Sequence, residues 1–135
     1  MSMKYDDWEK QVPACIKQYP LWNFEVYPKA LLLADLAWED CGKMLNDDRG
    51  RSISWQLIKS SGSVSANIEE GFGRGYGKDY ARFLKYALGS ARESRGWYYR
   101  GRRLLDAKIL EHRYQLLNEI IALLVTHVNK QRKWE

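Results

Sequence analysis

Nine basic side chains fall within the thirty positions from Arg74 to Arg103: Arg74, Lys78, Arg82, Lys85, Arg92, Arg95, Arg100, Arg102 and Arg103. Only Asp79 and Glu93 oppose them there. Arginine outnumbers lysine seven to two in the stretch, and a planar guanidinium holds a phosphate through two parallel hydrogen bonds where an ammonium acts as a point charge. The chemistry these residues suit is the capture of a polyanion, and nucleic acid is the commonest one in the cytosol. A plain solvated face and a docking surface for an acidic protein are the competing readings. The scarcity of acidic residues one helical turn away weighs against the first of these. Tyr76 and Tyr99 lie near the charges, where an aromatic ring can stack on an unpaired base.

The glycines at 71, 73, 75 and 77 invite comparison with phosphate-binding loops, and their context argues against it. A dinucleotide or Walker loop follows a strand, and the Walker form needs Ser or Thr after Gly-Lys; here a helical pattern precedes, and Gly77-Lys78 is followed by Asp79. Arg74-Gly75-Tyr76-Gly77 matches the opening of an RNA-recognition signature whose next two residues, an aromatic and an aliphatic, are absent. The run is read as an interhelical turn that bares Arg74, Tyr76 and several backbone N–H groups beside the next helix, where a phosphate finds donors. Adjacent Glu69 and Glu70 point about 100° apart on a helix and cannot form a catalytic pair. His112 and His127 are fifteen positions apart, and no Glu-x-x-His occurs, so a carboxylate-bridged di-metal site is not indicated. The expectation is a protein with no catalytic residues, no metal and no cofactor. Cys15 and Cys41 have no metal-ligand spacing and are read as free, buried thiols of a reducing compartment.

These residues need elements to hold them. At 135 residues, 45% apolar and 29% charged, the chain fits one domain. Its charge is split: residues 1 to 50 hold six Lys/Arg against nine Asp/Glu, and residues 51 to 135 hold sixteen against eight. The longest apolar runs, Ala30 to Ala34 and Ile120 to Val125, fall far short of the roughly 20 residues that span a bilayer. The acidic N-terminal segment also lacks the apolar core of a secretory signal. A cytoplasmic protein without membrane contact is expected.

Residues 1–21, with Pro13 and Pro20, predict a lead-in with at most a short helix, and residues 22–135 a bundle domain. Helical spacing begins near Trp22 to Pro28 and runs to about Leu45 through Val26, Ala30, Leu33, Ala37 and Met44. Asn46 to Gly50 is turn chemistry. A second helix is predicted from about Arg51 to Gly71, with Ile53, Leu57, Ile58, Val64, Ile68 and Phe72 on one face. Ser60, Gly62, Ser63 and Ala66 form a small face where a neighbour can approach, offsetting the roughly 1 kcal/mol cost of a mid-helix glycine. A third helix runs from Lys78 to about Ala107. Phe83, Tyr86, Ala87, Ser90, Trp97, Tyr98, Leu104 and Leu105 take one side, with Tyr80 at its edge. Lys78, Arg82, Lys85, Arg92, Arg95, Arg102 and Arg103 take the other. The last, about Leu110 to Lys130, turns Leu110, Tyr114, Leu117, Ile121, Leu124, Val125 and Val128 inward. Leu116, Ile120 and Leu123 widen its apolar arc beyond one bundle seam, and the surplus either covers the lead-in or forms a subunit interface. No alternating strand pattern of useful length occurs, so the fold class is all-α, an antiparallel up-down-up-down four-helix bundle.

Two segments carry a resemblance: Ser65-Ala66-Asn67-Ile68-Glu69-Glu70-Gly71, and Arg82-Phe83-Leu84-Lys85-Tyr86-Ala87-Leu88-Gly89-Ser90-Ala91-Arg92-Glu93. From roughly Trp22 to Val128 the chain resembles the four-helix-bundle family of 23S rRNA intervening-sequence proteins, which takes in the accessory variability determinants of diversity-generating retroelements. The family's usual form has alanine where Glu69 stands here, and its ordinary members are less rich in arginine than Arg92 to Arg103. The resemblance implies a bundle assembled into a ring, typically a homopentamer, with no enzymatic activity. Its retroelement branch implies binding of RNA or DNA through basic surfaces and partnership with a reverse transcriptase. The intervening-sequence branch implies no settled activity, and the alternative for it is a scaffold whose basic face docks an acidic protein surface. On the phosphate-binding reading Lys78, Arg82, Lys85, Arg92, Arg95, Arg102 and Arg103 make the contacts, with Arg74 and Arg100 at the margins. Within the motif Asn67 is expected to cap or cross-link backbone near the glycine break, Gly71 to end its helix in the left-handed conformation, and Gly89 with Ser90 to admit a close helix.

Overall fold

The computed structural model describes residues 4–75 and 77–132. Two short helices, α1 (Tyr5–Glu9) and α2 (Ala14–Lys17), and a 3-10 turn (Pro20–Asn23) form the lead-in. Four long helices follow: α3 (Val26–Met44), α4 (Asp48–Phe72), α5 (Lys78–Arg100) and α6 (Ala107–Arg132), with a 3-10 turn at Arg102–Leu104. Helix α3 packs against α4 and α6, and α5 packs against the same two. Sequential helices joined by short turns are therefore neighbours around one core, as an up-down-up-down bundle requires.

Each turn has a local cause. Asp47 ends the first one as an N-cap: its carboxylate accepts from the backbone N–H of Arg49 at 2.8 Å and of Gly50 at 3.3 Å. Helix α4 therefore starts at Asp48, and Arg49 and Gly50, expected in the turn, lie in its first turn. A Cβ on Gly50 would collide with the Met44 carbonyl oxygen, so glycine lets α4 start directly against the end of α3. At the other end of the bundle α4 continues through Gly71 and Phe72. Gly71 is helical, not left-handed as expected; it is buried, and a Cβ there would come within 2.9 Å of the Phe83 Cβ. The left-handed positions are Gly75 and Gly77, both at φ +81°.

The core is small on one side and large on the other. Helix α4 buries Ser54, Ser60, Ser61 and Ser65 beside Leu57, Val64 and Ile68. Cys41 Sγ donates to the Ser54 carbonyl at 3.5 Å across the α3–α4 seam, and Ser94 Oγ bonds Ser60 Oγ at 2.9 Å across the α4–α5 seam. Of the expected small face, Ser60 makes the close approach, joined by Ser54, Ser61 and Ser65, whereas Ala66 is exposed and a Cβ on Gly62 would touch nothing; Ile58, expected on the apolar face, is exposed as well. The buried stripe of α5 is Tyr80, Ala81, Leu84, Ala87, Leu88, Ala91, Ser94 and Tyr98, rotated from the expected face so that Tyr86 stands in solvent. Gly89 is exposed with open space around it, so it admits no neighbouring helix. Asn67 does not cap the glycine break; it donates to the Ser63 carbonyl one turn back at 2.8 Å. Of the two thiols, Cys41 is buried, but Cys15 is exposed.

One buried group was invisible to periodicity. Asp40 of α3 accepts from Arg113 Nε at 2.7 Å and Nη2 at 3.0 Å on α6, and from the Tyr98 hydroxyl of α5 at 2.7 Å. All three side chains are essentially inaccessible to water. Three helices are thus tied at one carboxylate whose oxygens are all engaged, the condition under which a buried ion pair is tolerated.

The lead-in lies over α3. Trp8 is buried, its indole N–H donates to Asp35 at 2.7 Å, and it stacks on Trp22 at 6.1 Å between centroids. Farther on, Tyr19 packs on Phe72, and Phe24 on Tyr80 and His127. On α6 itself, Phe24 meets His127 at 4.5 Å between ring centroids, while Tyr5 lines an open pocket together with His112 and Leu116. No helix among the described residues is long and apolar enough to cross a membrane.

Candidate nucleic-acid interface

With about 100° per residue, Lys78, Arg82, Lys85, Arg92 and Arg100 project from α5 within an arc of about 80°, opposite the buried stripe. All five are exposed. Over 23 residues the ridge is about 34 Å long. Arg95 lies about 60° to one side, where its guanidinium donates to Asn118 Oδ1 of α6 at 2.9 Å.

The cations are not equally available. Arg74 pairs with Glu70 at 2.7 Å and lies over the Phe83 ring at 5.1 Å. Arg82 lies over the same ring at 5.2 Å and pairs with Asp79 at 3.7 Å. Arg100 covers the Trp97 ring at 4.7 Å, and Arg102 the Tyr99 ring at 4.1 Å. Lys78, Lys85, Arg92 and Arg103 have no partner among the described residues. Exposed cations free of carboxylates keep their full charge for an incoming anion, whereas a paired one must first give up its partner.

The expected helix from Lys78 to Ala107 stops at Arg100, because Gly101 caps it and a separate turn follows. Arg102 and Arg103 therefore leave the α5 face. Arg103 instead joins Arg100 and Arg49 around a cavity of about 160 Å³ lined also by Ile53, Gly101 and Leu104. Arg49 was missed from sequence because it sits in a cluster read only as turn chemistry, some fifty positions away. Its guanidinium is held by Asp47, at 3.1 Å through Nε and 2.9 Å through Nη2. Tyr99 is exposed beside these groups, and Tyr76 lies outside the described residues. No group of three or more His, Cys, Asp and Glu able to hold a metal ion occurs among the described residues.

The two motif segments meet where Gly71 of α4 faces Phe83 of α5, while Glu69 accepts from the Tyr27 hydroxyl of α3 at 2.7 Å. A burial cost and this bond together push the Tyr27 hydroxyl well above its ordinary pKa. The model of the family described as 23S rRNA-intervening sequence protein matches residues 23–126, from the end of the lead-in through most of α6. The chain belongs to this family. The fold of this intervening-sequence family protein is also that of a crystal structure from Bacteroides thetaiotaomicron, a protein of unknown function from the S23 ribosomal protein family. The two are 24% identical, the match covers 76% of this chain and 97% of that one, and the TM-score is 0.69. No curated protein matches.

Proposed function

We propose that this protein is a non-enzymatic accessory protein that binds RNA or DNA through the outer face of α5. The observation that carries the reading is the placement of Lys78, Lys85 and Arg92, exposed and unpartnered among the described residues, along one ridge. Phosphates repeat along a strand, and a row of free cations on a straight helix neutralises several at once. The resemblance to retroelement accessory determinants adds a reverse transcriptase as the protein partner and a pentameric ring as the assembly. A separate surface suits a protein partner: Trp38 on α3 and Trp55 on α4 are 71% and 72% exposed, and large aromatic side chains are the usual anchors of protein interfaces. Nucleic acid and protein would then occupy different faces.

The test is a salt titration of nuclease-treated protein with labelled structured RNA, single-stranded DNA and duplex DNA. Binding that weakens linearly in log–log with salt supports the reading, the slope counting the phosphates neutralised. Absence of binding to all three at low salt overturns it. Capture of a protein partner that survives nuclease treatment would then leave the scaffold reading in its place.

A further inference from the structure

The cavity at the α5–α6 turn differs from the ridge in its chemistry. Arg49, Arg100 and Arg103 stand on its rim, no carboxylate lines it, and Ile53, Leu104 and the Gly101 backbone make its floor. Gly101 is buried, and a Cβ there would press on Met44 Sδ at 3.0 Å and Ile53 Cγ2 at 3.2 Å, so the floor stays bare backbone at that point. Arg103 has no partner among the described residues, and Arg100 is fixed in place across the face of Trp97. Asp47 already meets the Arg49 charge, so Arg100 and Arg103 are the guanidiniums at the cavity that no carboxylate neutralises, and their charge draws an anion to the rim. Phosphate alone would need only the rim. An apolar floor under that rim suits a flat, weakly polar group attached to the phosphate, and about 160 Å³ is far below the room a drug-sized ligand needs.

We infer that this cavity takes one unpaired nucleotide, its phosphate among Arg49, Arg100 and Arg103 and its base against Ile53 and Leu104. The inference rests on the nucleic-acid reading above and narrows its substrate class to strands with unpaired bases. A duplex keeps its bases inside and offers only phosphates to the rim, whereas a single strand can turn a base onto the floor. The ridge of α5 reads both alike.

The experiment compares a labelled single strand and a duplex of equal length on the full chain, using the wild type and an Arg103→Gln, Leu104→Ser variant. Single-strand affinity falls about tenfold in the variant, as expected for one lost base contact, and duplex affinity falls no more than about threefold. Equal losses on both overturn the inference and leave the ridge reading standing. No binding by the wild type sinks the ridge reading itself. Should the variant fail to fold, methyl resonances of Ile53 and Leu104 in the wild type decide the matter. They shift with adenosine monophosphate and not with inorganic phosphate if a base sits on the floor, and equal shifts with both show an anion site only.

Discussion

Arg113 on α6 is 1% exposed and clamps Asp40 through two nitrogens, whereas Arg92 on the adjacent α5 is exposed and unpartnered among the described residues. The two are the same residue type on neighbouring helices, and their energetic roles are opposite. Arg113 has been taken out of water and is held by the groups around it. The Asp40 carboxylate and the Tyr98 hydroxyl keep its guanidinium charged despite burial, and they push its pKa further up. Tyr98, buried beside a carboxylate, has its own pKa pushed well above the ordinary phenol value. Arg92 keeps its hydration and contributes little to folding, which leaves its charge for a ligand. The difference teaches that charge in this bundle is structural where three helices converge and, on the proposed reading, left for a ligand where one helix faces out.

The sharpest break of that comparison is Arg113→Ala, which leaves the buried Asp40 carboxylate with only the Tyr98 hydroxyl at 2.7 Å and the half-exposed Lys43 ammonium at 3.7 Å. It is expected to cost about 3–5 kcal/mol, read as a shift of the urea midpoint. A triple replacement of Asp40, Tyr98 and Arg113 by Leu, Phe and Met recovers most of the loss, because the desolvation cost disappears with the charges. A single variant within about 0.5 kcal/mol of the wild type would show that the pair is solvated after all.

The outward half of the comparison is tested by Lys85→Glu with Arg92→Glu. Stability stays within about 0.5 kcal/mol of the wild type, as for surface substitutions generally. Nucleic-acid affinity falls about tenfold or more, and the salt slope drops by about 2 if each cation meets one phosphate. Unchanged affinity with unchanged slope would move the binding face off α5.

The same contrast of inside and outside explains what the sequence could show. The four helices and their order were legible because Val26, Ala30, Leu33 and Ala37, or Leu57, Val64 and Ile68, recur at helical spacing and are all fully buried. The rotation of α5 was not, because Tyr86 and Trp97 count as apolar by type while their rings, large and polar at one edge, sit comfortably at the surface or under an arginine. Arg113 was unreadable for the converse reason: a lone arginine in an apolar stripe signals a partner only when Asp40, seventy-three positions away, is known to face it. The ridge from Lys78 to Arg92 was legible, and its extension to Arg102 and Arg103 was not. A glycine directly before a basic pair ends one helix here, and the same pattern is compatible with continuing it.

Glycines give a smaller version of the comparison. At Gly71 an alanine meets Phe83 at 2.9 Å, and the overpacking is expected to cost about 1–3 kcal/mol. At Gly89 nothing lies within 4 Å of the added carbon, so Gly89→Ala is expected to stabilise the helix by about 0.5–1 kcal/mol. Thermal denaturation of the two variants should move in opposite directions. Equal signs would mean that α4 and α5 are not in contact at Gly71.

The smallest expected effect concerns His112, which lies between the two worlds. Arg113 Nη1 lies 2.7 Å from its Nδ1, an arrangement that requires Nδ1 to be an unprotonated acceptor. Burial first, and the Arg113 charge second, lower the pKa of the ring from its ordinary 6.5, with Asp40 opposing weakly. The unfolded chain accordingly takes up a proton at 6.5 that the folded chain still refuses. His112 therefore stabilises the fold above that pH, and its contribution is lost as the pH falls through the lowered value. His127 is lowered in the same direction, by burial and then by Lys130, so it adds to the same slope. In a His127→Gln background, the urea midpoint should fall between pH 7 and pH 5. Adding His112→Gln should flatten that fall, because the carboxamide oxygen still accepts from Arg113 but cannot titrate. A slope unchanged by the second substitution would place the proton elsewhere and detach His112 from the buried Asp40–Arg113 group.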